Sequence, residues 1–175
     1  STLNMLLSLN VIPIVNENDT VATDEIRFGD NDRLASQVST MVGADNLVLL
    51  SDVDGLFTSN PRDNLDSDLL TNIDEITPEI ELMAGGASSI FSKGGMKTKI
   101  IAAKTATNAG CSVIICNGKE NNPLSNLLHG QTHTLFRAKN DPFTARKNWI
   151  SSMQKRTLWA QRLHQQAPPA ATGQC

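Results

Sequence analysis

The chain has 175 residues, enough for one domain that buries roughly 70% of the surface its unfolded form exposes. Fifteen lysines and arginines against 18 acids leave a net charge of −3, which excludes the broad basic field that non-specific nucleic-acid binding needs. No apolar run approaches the ~20 residues that cross a bilayer, and the opening STLNMLLSLN has neither the basic flank nor the cleavage site of a secretion signal, so a soluble, cytoplasmic protein is expected, with no membrane or nucleic-acid partner.

Leu3, Leu6 and Leu7 sit at helical spacing, but no cap introduces them, and the segment reads as a helix entered midway. In VIPIVNEND, Val11, Ile12, Ile14 and Val15 are apolar on both faces, the pattern of a strand buried in a parallel sheet covered on two sides. Polar residues begin at its C-terminal end. FGDNDRLASQV then sets Asp30, Asn31 and Asp32 at the mouth of a helix predicted over 32–42, with Leu34, Val38, Met41 and Val42 as its apolar stripe and Gly43 at its left-handed stop. Helix N-termini carry unpaired N–H donors and partial positive charge, and so attract anions. Here the chain supplies its own carboxylates, which either cap the helix or hold something cationic.

NLVLLSDVDGL is a second buried strand, predicted over 46–51, ending at Ser51 and Asp52 and followed by a turn at Asp54–Gly55. The turn-rich TSNPRDNLDSD comes next. Thr77 as N-cap and Pro78 at the first helical position open a short helix in TPEIELM. AGGASSIFSKGGMKTK is rich in glycine and serine and is expected to be mobile, and MKTKIIAAKTATNAG is an Ala-rich helix ending at Gly110. CSVIICNG reads as a third buried strand, NPLSNLLHG as a short helix and HTLF as a terminal strand. Strands alternating with helices imply α/β architecture built from parallel βαβ units. Ligands of open sheets of this kind bind beyond the C-terminal strand ends. Three such ends are polar: NEND, SDVDG and NGKENN. The tail QQAPPAATGQC is low in complexity and is expected to be disordered.

Cys111 and Cys116 flank a strand-like run at odd separation, on opposite faces, and Cys175 lies in the tail, so the thiols form no disulfide framework and read as reduced and structural. His129, His133 and His164 show no metal-ligand spacing, because a glycine follows His129 and no helix pattern gives the first two a shared face. Gly94 and Gly95 permit close backbone approach to a phosphate, and the following helix points its N-terminus there, with Lys99 one turn in. On the residues alone a solvated helix lysine reads equally well. SKGGMKTK lacks the GxxxxGK[ST] spacing of a P-loop, and no protein-kinase signature occurs.

Taken in order, VIPIVNENDTVATDEIRFGDNDRLAS, LVLLSDVDGLFTSNPR, GGMKTKIIAAKTATNAG and TLFRAKNDPFTARKNWI resemble the glutamate 5-kinase (gamma-glutamyl kinase) family of amino-acid kinases, over about residues 1–150. The resemblance implies a three-layer αβα sandwich with an open, mostly parallel sheet of carbamate kinase-like kind. It implies that ATP, with Mg²⁺, phosphorylates the γ-carboxylate of L-glutamate, the first step of proline biosynthesis, in an enzyme that forms a homo-oligomer. By position it implies that Asp19 and Asn31 bind glutamate and that Asp32 organises the active-site lysines. It further implies that Ser51 and Asp52 open the nucleotide site and that Lys93, Gly94, Gly95, Met96, Lys97, Thr98 and Lys99 cover ATP, with Lys99 facing the phosphates. Lys93 stands where the family has a small polar residue or arginine. The chemistry is coherent: the α-ammonium of glutamate needs carboxylate or amide oxygens, and phosphoryl transfer needs lysines that are themselves held. An N-cap role for Asp30 or Asp32, worth ~1 kcal/mol, is compatible with it.

The lysine-bearing first strand and Ser-Gly-rich loop of that family do not occur in these 175 residues. Residues 1–150 are therefore expected to be the C-terminal portion of such a kinase domain, with little or no kinase activity alone. Residues 151–175 show none of the strand alternation of the PUA domain that follows in bacterial members, and read as a truncation or a change of frame. Two other readings stay open. One is another amino-acid or carbamate kinase of the same fold, against which NEND and GDND argue; the other is a non-catalytic nucleotide-binding module that kept the ATP segment.

Overall fold

The computed structural model describes residues 2–16, 30–85 and 95–139. In chain order the elements are α1 (Thr2–Ser8), α2 (Asp30–Val42), β1 (Asn46–Ser51), β2 (Asn72–Ile73), α3 (Pro78–Ala84), α4 (Gly95–Asn108), β3 (Ser112–Asn117), α5 (Pro123–Leu128) and β4 (His133–Phe136). The strands form one open sheet in the order β1-β3-β4-β2. β1 runs parallel to β3 with Ser51 opposite Asn117, β3 runs antiparallel to β4, and β4 runs parallel to β2. The sheet is thus mixed. The predicted βαβ unit is realised through α3 and α4 between β1 and β3, whereas the short link through α5 returns the chain as an antiparallel neighbour.

Leu49, Val113, Ile115 and Phe136 from three strands are buried with Ile100, Ala103 and Ala106 of α4, and this cluster is the core. α4 also packs on α2. The buried residues of α2 are Ser36 and Ser39, the former only 1% exposed, while Met41 of the predicted stripe stays 47% exposed and Leu34, Val38 and Val42 are half-buried. The helix has turned its small residues inward because α4 presents Ala102, Ala103 and Ala106 along its own buried side, and two small-residue faces allow close approach. Burial of the hydroxyls leaves them satisfied: Ser36 Oγ donates to the carbonyl of Arg33 at 2.8 Å and Ser39 Oγ to that of Ser36 at 2.9 Å.

The helix stops follow from local chemistry. Gly43 and Gly110 both adopt positive φ, 69° and 85°, in the left-handed turn that ends α2 and α4. Thr77 caps α3, its hydroxyl accepting from the Ile80 amide at 3.4 Å, with Pro78 next in line. α2 begins at Asp30 rather than at 32, which places Asp32 inside the first turn.

The expected first strand is corrected. Residues 11–15 form no regular element, and Ile12 and Ile14 are 86% and 95% exposed. A strand exists through its ladder, and among the described residues none lies beside this segment, while Pro13 offers no N–H to one. α1 likewise buries none of its residues. Cys111 and Cys116 are both buried free thiols, so their odd separation does not put one of them at the surface. Burial pushes both thiols above the ordinary value. Cys175, and the tail from 151 to 175 expected to be disordered, lie outside the described residues, as does most of the glycine- and serine-rich stretch before α4.

After β1 the chain makes a turn that β4 holds from across the sheet. The Leu56 amide donates to Thr134 Oγ1 at 2.8 Å, and a Cβ on Gly55 would come within 2.3 Å of the same oxygen. Gly55→Ala is therefore expected to destabilise the fold by about 1–3 kcal/mol through overpacking at a site that cannot relax without breaking this bond. A lower midpoint of urea unfolding at unchanged slope is the expected reading, and an unchanged midpoint would show that the turn relaxes freely.

Candidate active site

Two helix beginnings meet at one rim of the sheet. Asp32 lies in the first turn of α2, and Thr98 and Lys99 lie one turn into α4. Because the helices pack along their small-residue faces, these side chains converge. Lys99 Nζ sits 3.0 Å from Asp32 Oδ1 and 3.1 Å from Oδ2, and the Thr98 hydroxyl donates to Oδ2 at 2.9 Å. Lys99 and Asp32 are each about 15% exposed, so both contacts are charge-assisted bonds in a partly dry setting. A lysine near a helix N-terminus opposes the helix dipole, whereas an aspartate there is favoured by it. Asp32 thus gains from its own helix and neutralises a cation that the neighbouring helix disfavours.

A cavity of about 810 Å³ opens beside this pair, and its wall includes Ser51 and Asp52 from the end of β1 together with Gly95, Met96 and Lys99 from the start of α4. Its size and its place at a C-terminal strand end suit a cofactor-sized ligand. The parallel pairing of β1 and β3 brings a second strand end to the same rim. The Asn117 amide donates to Asp54 Oδ1 at 3.0 Å, and the Gly118 N–H donates to the Ser51 carbonyl at 2.8 Å. Of NGKENN only its first residues reach the rim in this way; Lys119 and Glu120 are exposed.

The structure therefore brings Asp32, Ser51, Asp52, Gly95, Met96, Thr98 and Lys99 to one place. Asn31 is exposed in the first turn of α2, adjacent in sequence to Asp32. Lys97 stands apart: it lines a smaller recess of about 370 Å³ with Pro78, Glu81 and Gly85. Asp19, Lys93 and Gly94 lie outside the described residues, as does the side chain of Asp30. His129 and His133 are engaged locally, Nδ1 of each within 2.8 Å of a backbone carbonyl, of Ser125 and Gln131 respectively.

One wall escapes the sequence reading. Residues 56–70 fold back as a hairpin-like excursion, with a bridge between Phe57 and Leu69 and asparagine turns at Asn60 and Asn64. Its near side, including Phe57, Asn60 and Arg62, closes the cavity opposite α4. The signal available was position, since a polar loop leaving a parallel strand at its C-terminal end belongs to the ligand rim.

The amino acid kinase family model matches residues 1–117. The chain is 59% identical over 156 residues to a glutamate 5-kinase of Dinoroseobacter shibae, covering 89% of this chain and 42% of that protein. It is 60% identical over 153 residues to a glutamate 5-kinase of Roseobacter denitrificans, covering 87% of this chain and 41% of that one. The chain thus spans about two fifths of the length of these curated relatives. Among solved structures, a carbamate kinase from Giardia lamblia bound to AMP-PNP superposes with a TM-score of 0.51 over 78% of this chain and 43% of its own, at 23% identity, a likeness of fold.

Removing the carboxylate should expose how much the pair contributes. Asp32→Ala leaves an ammonium of low exposure without its anion and is expected to destabilise the chain by about 1–3 kcal/mol. Asp32→Asn, which keeps an acceptor, should lose less. Urea unfolding of the three proteins reads this directly, and equal midpoints would mean that the pair is energetically idle.

Proposed function

Because the chain belongs to the amino acid kinase family, we propose that it serves the ATP-dependent phosphorylation of the γ-carboxylate of L-glutamate, yielding glutamyl 5-phosphate, the first step of proline biosynthesis. The relatives that support this reading are named glutamate 5-kinase. The observation that carries it is the Asp32–Lys99 pair at the edge of a cavity walled by Ser51 and Asp52. Residues 1–150 belong to the kinase domain in this reading, and a cytoplasmic homo-oligomer is part of the same proposal. Among the described residues no helix is long and apolar enough to cross a membrane.

The residues fit the ligands that the reaction needs. The cavity has room for a nucleotide, and Gly95, Met96 and Lys99 at the start of α4 line it. Among the described residues no group of three His, Cys, Asp or Glu side chains could hold a metal. That fits Mg²⁺, which is bound through substrate phosphates and few carboxylates; the exposed carboxylate of Asp52 at the cavity wall is the candidate protein contact. Bound Mg²⁺ supplies charge neutralisation of the phosphate oxygens.

In this mechanism the protein's task is positioning and charge stabilisation. Asn31 and Asp19 bind the ammonium and carboxylate groups of glutamate so that its γ-carboxylate faces the γ-phosphate. An ammonium has three hydrogens, and with two of them on Asp32 the third of Lys99 is free to meet a phosphate oxygen. Asp32 keeps that lysine in place while charge shifts across the transferring group. The second reading is a module that holds nucleotide at this cavity without catalysing transfer.

Calorimetry with Mg·ATP followed by hydroxylamine trapping of acyl phosphate tests both. Binding with trapped product from glutamate, and none from aspartate, N-acetylglutamate or carbamate, is the expected outcome. Lys99→Met is expected to lower turnover on the order of 10²-fold to 10³-fold with the fold intact. Turnover within about threefold of the parent would remove Lys99 from the mechanism. Binding without any transfer would favour the second reading, and absence of binding would overturn both.

A further inference from the structure

We propose that Thr98 is the positioning residue for Asp32: its hydroxyl holds the carboxylate so that Lys99 can lean toward a ligand without carrying its partner along. The proposal deepens the reading above and rests on Asp32 organising Lys99.

The Thr98 hydroxyl lies 2.9 Å from Asp32 Oδ2 and 2.9 Å from the carbonyl of Gly95. Asp32 and Gly95 both stand as acceptors for its one proton. A threonine inside a helix ordinarily gives that proton to a carbonyl of the preceding turn. The ionised carboxylate is the stronger acceptor, and the bond to it is charge-assisted. Asp32 Oδ2 is thereby shared, accepting from Thr98 at 2.9 Å and from Lys99 at 3.1 Å, while Oδ1 accepts from Lys99 at 3.0 Å. The two donors differ in stiffness. Lys99 reaches Asp32 along four methylenes, whereas Thr98 is β-branched and bonds through an oxygen on its Cβ, so its bond fixes the carboxylate relative to the α4 backbone.

The consequence concerns what happens when an anion competes for Lys99. Without Thr98 the carboxylate would keep no bond from α4 but that of the lysine itself, and the pair would move as one. With Thr98 the carboxylate stays anchored to the first turn of α4. Threonine is also a poorer helix former than alanine by several tenths of a kcal/mol, so its hydroxyl supplies a reason for the position beyond helicity.

The test uses the full chain and does not depend on turnover. Trace acetylation with acetic anhydride, read by mass spectrometry, gives the reactivity of Lys99 relative to the exposed Lys119. Thr98→Val removes the hydroxyl at nearly constant shape and should lower relative reactivity about threefold or more, because the carboxylate then stays with the ammonium. Thr98→Ser should return it to within about twofold of the parent. Thr98→Ala, a better helix former, serves where the valine perturbs folding, with circular dichroism as the check. Unchanged or raised Lys99 reactivity in the folded valine or alanine variant would overturn the proposal, as would a serine variant no more reactive than either. Failure of the chain to phosphorylate glutamate would overturn the reading above and leave this result standing.

Discussion

A single carboxylate joins the two halves of the site. Asp32 sits where its own helix favours negative charge, and it reaches the first turn of α4, where a lysine is disfavoured by the same dipole effect. The bond therefore relieves one electrostatic conflict with another element's preference. It also defines geometry, since it fixes the relative position of two helix N-termini. The rest of the site is arranged around that junction, with the cavity on one side and the small-residue seam of α2 and α4 behind it.

The seam matters as much as the charge. Ala102, Ala103 and Ala106 on α4, with Ser36 and Ser39 on α2, are buried because nothing larger separates the helices. Close packing of this kind lets an aspartate, one of the shortest charged side chains, span the gap to Lys99. On the sheet side, the Asp54–Gly55 turn is pinned from two directions, by Asn117 at the end of β3 and by Thr134 on β4. Those bonds hold Ser51 and Asp52 at the cavity wall although they leave the strand into a loop. In the proposed kinase reaction both features serve positioning, which is most of what phosphoryl transfer asks of a protein.

Much of this was legible locally. β1 and β3 appear where apolar runs end in polar residues, β4 appears at HTLF, and the stops at Gly43 and Gly110 and the cap at Thr77 follow from chemistry within a few residues. The polar ends SDVDG and NG belong to one rim because parallel neighbours end at the same side. Other features were not legible. Leu34, Val38 and Met41 form the better apolar stripe of α2, yet the helix buries Ser36 and Ser39, since the facing helix and not the helix itself selects the inner side. VIPIV has the composition of a buried strand and is exposed, because composition cannot supply a neighbour. The two-residue β2 and the cavity wall at Phe57 and Asn60 carry too short or too polar a pattern to read.

The amino-acid order alone settles most of the segments that become helix or strand, where most of them stop, and which residue types stand at the strand ends, because capping, turn formation and apolar periodicity act over a few residues. Motif by motif, it also points to the family whose model matches residues 1–117. Only tertiary structure decides that Asp32 meets Lys99 and Thr98, 66 or 67 residues away, that β4 runs against β3, and that Lys97 faces a different recess from Lys99. These depend on how two helices choose their facing sides and on which strand finds a partner, and such contacts join residues whose local patterns hold no trace of one another.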